Sequence, residues 1–317
     1  MPRATVDEAT SARLRRQATI ASICVAIILI LLKVVAWLLT GSITILASLL
    51  DSAVDLIASL VTFLTVRAAI KPPDRSHRFG HAKAEPLGAL VQAAFVGGSA
   101  LFLIFESVGR LLTPRPIAQE TVGVVVMVIA IVLTSVLVLY QRTVVARTGS
   151  IAIKADRMHY LTDLMLNLSV IVALVAVSQT GWLWLDPIAA MLLSLWLLRC
   201  AALIVRPALD LLMDRELPAD ERQRIERIVR GNPNVVDLHD LRTRDAGSRQ
   251  FIELHLEIDG ALTVVAAHRI CDAVEADLHA AFPTADIILH QEPAGLDDRR
   301  LDGLIEDQSP GIGGRSD

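Results

Sequence analysis

The chain has 317 residues, a hydrophobic content of 53% and a mean hydropathy of +0.53, more apolar than a soluble protein of this length. Its formal net charge of −4 averages an apolar first two-thirds and a charged last third, which gives nucleic-acid binding no support. Three cysteines, Cys24, Cys200 and Cys271, form no CxxC pair, so neither a disulfide framework nor a thiolate metal cluster is expected.

The first 17 residues are polar, and the first apolar run lacks a small-residue cleavage site after it, so it is expected to remain as a helix. A helix that crosses a bilayer needs about 20 mostly apolar residues, because its backbone groups have no water to bond. Six segments qualify: Ala18–Leu39, Thr44–Val66, Pro86–Leu112, Thr121–Tyr140, Ile151–Val177 and Trp182–Val205. Lysine and arginine collect on one side of these spans, at Arg13, Arg15 and Arg16, at Arg67 to Lys83, at Arg142 to Lys154, and at Arg206. That side is read as cytoplasmic, with both termini on it.

Past Pro207 the apolar density falls. Pro218–Arg230 is predicted as an amphipathic helix ended by Gly231-Asn232-Pro233, followed by strands Val235–Thr243 and Phe251–Ile258. In the second strand Ile252, Leu254, Leu256 and Ile258 share one face, and Glu253, His255 and Glu257 the other. A helix Thr263–Ala281 and a strand Asp286–His290 complete an α-β-β-α-β order. The predicted organisation is a cytoplasmic segment 1–17, a six-helix transmembrane domain 18–206, a cytoplasmic α+β domain 207–293 and a disordered tail 294–317.

Two pairs of residues carry chemistry inside the spans. Asp51 and Asp55 lie four apart in the second span, and an ionised Asp at a helix centre is unfavourable by about 2.5–3.5 kcal/mol on insertion scales. His159 and Asp163 repeat the spacing in the fifth. Residues at i and i+4 share a helix face, so like charges there need a cation or a proton between them. Three carboxylates and one imidazole suit four-coordinate zinc. By contrast, Lys33 and Glu106 read as solitary charges served by snorkelling or a helix end, and Gly97 and Gly98 as points of close helix approach. In the second cytoplasmic segment Asp74, His77 and His81 follow a D-x2-H-x3-H spacing, which on its residues alone reads as a metal site or as a soluble linker.

Paired Asp-x3-Asp and His-x3-Asp on the second and fifth of six spans, with a cytoplasmic α+β domain behind them, resemble the cation diffusion facilitator family, in its bacterial zinc and ferrous-iron efflux branch. The resemblance covers nearly all of residues 14–293. It implies a transport site of Asp51, Asp55, His159 and Asp163, a loop metal site of Asp74, His77 and His81, and a ferredoxin-like, metallochaperone-like cytoplasmic domain. In that domain His239, His255, His268 and His290 match positions that bind a pair of metal ions, while Glu292 stands where the family has Asp; Gln291 is a weaker ligand candidate. Lys83 and Asp214 match a charge interlock between the two domains. A homodimer in the inner-membrane bilayer is implied, exporting a divalent ion against protons by alternating access. The donor set favours Zn2+ as transported and regulatory ion; Fe2+, Cd2+, Co2+ or Mn2+ export and a non-transporting metal sensor are the alternatives. No HExxH or comparable motif supports an enzyme.

Overall fold

A computed structural model describes residues 8–41, 43–113, 121–180, 182, 184–247 and 249–295. The predicted tail beyond residue 295 and the first seven residues of the predicted N-terminal segment lie outside the described residues. The chain divides into two compact units, residues 1–209 and 210–317.

The first unit is built from helices α1 (Glu8–Thr40), α2 (Ile43–Ala69), α3 (Ala84–Leu112), α4 (Thr121–Thr148), α5 (Ile151–Thr180) and α6 (Leu185–Leu212). Each of the six predicted spans corresponds to a helix, but α1 begins ten residues earlier than the expected Ala18, and α6 starts at Leu185 instead of Trp182 and continues through Pro207. Five of the helices are long and apolar enough to cross a membrane by composition; α5 is not among them. Its first half carries Lys154, Asp156, Arg157, His159 and Asp163, and α5 lies against α2, α3 and α4 rather than showing an apolar face on every side. Apolar side chains such as Leu38, Leu39 and Phe105 stand more than two-thirds exposed, as expected where lipid replaces water.

Lipid offers no hydrophobic force between helices, so their packing relies on close fit and hydrogen bonds. Ala89, Ala93, Val96 and Ala100 of α3 meet Leu197, Ala201, Ile204 and Ala208 of α6 along one seam. The expected close approach at Gly97 and Gly98 is not seen: a Cβ on Gly97 would make only ordinary contact with Ala201, and Gly98 faces open space. The tight point is Gly88, where an added Cβ would lie 2.9 Å from the Cβ of Thr65 on α2.

The second unit holds α7 (Ala219–Arg230), β1 (Val235–Asp245), β2 (Gln250–Ile258), α8 (Val264–Ala281) and β3 (Ala285–Pro293) in a sheet ordered β1-β2-β3, antiparallel then parallel. Pro218 opens α7, and the Thr263 hydroxyl accepts from the Ala266 amide to cap α8. Ile252, Leu254, Leu256 and Ile258 on one sheet face pack with Ile225 and Val229 of α7 and Val274 and Leu278 of α8. Leu256 is fully buried there. Leu256→Ala is expected to destabilise the domain by about 2–5 kcal/mol, read as faster amide exchange across β1, β2 and β3 in the full chain.

Candidate metal centres

Within the helical unit, α2 and α5 meet along a polar seam. His159 Nε2 lies 3.0 Å from Asp55 Oδ1 and 3.8 Å from Asp163 Oδ2. The three side chains can place one donor atom each within 4.8 Å of one another, as a single ion requires. His159 is buried, and Asp55 and Asp163 half-buried. The next residue of α5, Tyr160, meets at 2.8 Å the hydroxyl of Ser59, one turn along α2 from Asp55, and donates to the Ser22 carbonyl of α1 at 3.1 Å. These contacts tie α5 to α2 and to α1.

Asp51, the fourth expected ligand, is not brought into this set; it is exposed, one turn along α2. Lys33 corrects another expectation. Its ammonium donates to the Ser48 carbonyl at 2.9 Å and the Ser52 hydroxyl at 2.6 Å, so it reaches α2 on either side of Asp51 instead of snorkelling alone. Glu106 is not solitary either, accepting from Arg110 at 2.9 Å. Sequence reasoning counted Arg15 only as a basic residue at the membrane edge, missing its buried pairing with Glu85 at 3.0 Å, and passed over Asp156, which accepts from Ser22, Gln92 and Gln141. Buried glutamines inside otherwise apolar runs were the available signal.

The loop between α2 and α3 gathers the predicted triad. Asp74 Oδ1 accepts from the amides of Ser76 and His77 at 2.8 and 2.7 Å, which folds the loop back on itself. His77 Nδ1 then lies 3.5 Å from Oδ1 and His81 Nε2 lies 3.4 Å from Oδ2, with the imidazole centroids 4.5 Å apart. Amide donation stabilises the ionised carboxylate and holds the Asp74 pKa below the ordinary Asp value. Asp74 is therefore expected to keep its charge below about pH 3.9, the usual midpoint, in a carbon-13 NMR titration of its carboxyl.

In the second unit the sheet register does the assembling. His239 pairs with His255, and His255 with His290, so three imidazoles lie in one row across β1, β2 and β3. A bulge between His239 and Arg242, with Asp240 at φ 51°, inserts one extra residue just after His239. The row occupies the sheet face opposite α7 and α8. Glu257 and Glu292, themselves a register pair, stand two residues further on. Glu292 is the hub: its oxygens lie 3.3 Å from His239 Nε2, 2.8 Å from His255 Nδ1 and 3.3 Å from His290 Nε2. Glu257, not anticipated as a site residue, lies 3.2 Å from His239 Nδ1.

His239, His255 and Glu292 can converge on one ion. The Nδ1 atoms of His239 and His255 are buried without an aligned hydrogen bond despite those nearby carboxylates, as donors shaped for a cation would be. His268 is not brought to the row. It lies on α8, which covers the other face, and pairs with Asp272 at 3.6 Å. Gln291 also points away, its Oε1 accepting from the Cys271 thiol at 3.5 Å. Asp214, at φ 54°, lies 3.6 Å from Arg244 within the second unit.

Residues 19–213 match the cation efflux transmembrane domain and residues 217–294 the cation efflux protein cytoplasmic domain. A cation-efflux pump FieF of Shewanella oneidensis is 47% identical over 277 residues, covering 87% of this chain and 93% of its own. Another FieF, from Cronobacter sakazakii, is 45% identical over 294 residues, covering 93% and 98%. The solved metal-bound C-terminal domain of a CzcD transporter from Thermotoga maritima is 27% identical, covering 26% of this chain and 100% of its own at a TM-score of 0.24. With both domain types present in order and relatives matched almost end to end, the chain belongs to the cation efflux family, also called the cation diffusion facilitators.

Proposed function

We propose that this divalent-cation efflux transporter is a homodimeric Zn2+/H+ antiporter of the inner membrane, with both termini in the cytoplasm. The observation that carries the reading is the Asp55–His159–Asp163 cluster between α2 and α5, inside the helical unit. An imidazole and carboxylates within such a span are unfavourable unless they serve an ion or proton path. Orientation is supported by Arg67, Lys83, Arg147 and Lys154, which all fall at the α2, α3, α4 and α5 ends on one side.

The same atoms bind metal or protons, never both at once. Zinc needs neutral His159 and ionised carboxylates, so loading from the cytoplasm releases protons, and protonation from the opposite side expels the ion. Asp51, one turn from Asp55 on the same helix face, completes four donors when the ion is held. The domain row of His239, His255, His290 and Glu292 takes zinc as a regulatory ion that tightens the dimer, with His268 recruited to it in the dimer. An imidazole with hard oxygens favours zinc and also accommodates cadmium and ferrous iron, whereas an all-oxygen set favours manganese.

The test is zinc uptake with simultaneous internal pH in proteoliposomes under an imposed proton gradient. Zinc movement with opposing proton flux is expected. Zinc flux that ignores the gradient refutes coupling, and iron or manganese flux in place of zinc refutes the metal assignment.

A further inference from the structure

Asp156 lies on α5 one turn before His159 and is 1% exposed. Its oxygens are met by three other helices: Ser22 Oγ of α1 at 2.7 Å and Gln141 Nε2 of α4 at 2.7 Å on Oδ2, and Gln92 Nε2 of α3 at 3.1 Å on Oδ1. The titratable groups facing it are His159 and Tyr160 of its own helix and Asp55 of α2. α1, α3 and α4 present only these neutral partners, and among the described residues no Lys or Arg pairs with it.

Hydrogens around it are short by count. Ser22 has one hydroxyl hydrogen and two acceptors in reach, the Ala18 carbonyl at 3.1 Å and Asp156. Gln92 has two amide hydrogens and three acceptors: the Ala58 carbonyl at 2.9 Å, the Thr62 hydroxyl at 2.7 Å and Asp156. Meanwhile the Oε1 atoms of Gln92 and Gln141 are buried with no donor. One added proton on the carboxyl relieves the shortage at Ser22. Its O–H donates to Ser22 Oγ, which also accepts from Gln141 Nε2 at 3.0 Å, freeing the Ser22 hydrogen for the Ala18 carbonyl. A buried carboxylate without a cation is otherwise strongly unfavourable.

We propose that Asp156 is a proton-binding site of the helical unit, separate from the metal ligands, whose carboxyl holds a proton between α1, α3 and α4. Binding adds H+ to one carboxylate oxygen; release returns it, and no other bond changes. A divalent ion at His159, one turn away, repels that proton, so loading the metal discharges it. This place in the cycle rests on the antiport reading above; the existence of the protonated carboxyl does not.

Infrared spectroscopy of the full chain in lipid, with carbon-13 aspartate to assign the signal, tests it. The expected result is a protonated-carboxyl C=O band in the parent that disappears in Asp156→Asn and loses intensity when zinc is added. A band set unchanged by Asp156→Asn overturns the proposal. Should Asp156→Asn fail to fold, Ser22→Ala keeps the carboxyl and removes a partner; a moved band supports the site and an unmoved one overturns it. Protons released per zinc are expected to fall by about one in Asp156→Asn. A parent that moves no protons yet loses the band on mutation refutes antiport alone, while a coupled parent without the band refutes this site alone.

Discussion

Asp55→Ala is expected to reduce zinc flux in proteoliposomes to background, a loss of at least ~100-fold, since even groups that merely orient a metal ligand are worth 10–100-fold. Asp55 is the α2 half of the cluster and lies 3.0 Å from His159, so its removal leaves the imidazole and Asp163 on a single helix. Those two donors and Asp51, which lies outside the cluster in this conformation, fall short of a four-coordinate site. Fold loss is distinguishable, because the Ser59–Tyr160 contact still ties α2 to α5 and should keep the protein monodisperse in detergent. Flux equal to the parent's would remove Asp55 from the transport site. Asp51→Ala separates a related question: it lies outside the cluster in this conformation, so a flux loss as deep as that of Asp55→Ala means the ion draws Asp51 in during the cycle.

The second large effect concerns Glu292. A ligand present at 100 times its Kd stabilises the state it binds by about 2.7 kcal/mol. In the parent, zinc at that level should slow amide exchange across β1, β2 and β3 accordingly, and in Glu292→Ala the protection should vanish. Glu292 is the carboxylate shared by His239, His255 and His290, and the face it occupies is not the one buried against α7 and α8. Metal-free exchange should therefore stay near the parent's. Glu292→Asp keeps the charge on a shorter stem and should retain part of the protection. Full protection in Glu292→Ala would place the protecting ion elsewhere.

Much of this was legible in the chain. Runs of about 20 apolar residues have few alternatives to spanning helices, and period-two alternation in residues 251–258 defines which face of β2 is inward. The pairs at i and i+4, Asp51 with Asp55 and His159 with Asp163, share a face by helical geometry alone. Local periodicity likewise placed α7 and α8, because burying an amphipathic stripe is the only stable use for it.

Tertiary structure decided what no local pattern encodes. The β1–β2 and β2–β3 registers aligned His239, His255 and His290 and brought Glu257 into contact with His239, while placing α8 on the far face separated His268 from them. Lys33 and Glu106 proved to be partnered, and the tightest glycine contact between helices fell at Gly88 instead of Gly97, because such contacts depend on how helices rotate against each other. Asp156 is the clearest case. Between Lys154 and Arg157 it reads as an ordinary charged residue at a helix start, and only the meeting of α1, α3 and α4 around it makes it a buried carboxyl. Burial is a property of what surrounds a residue, and residues 22, 92, 141 and 156 are far apart in the chain.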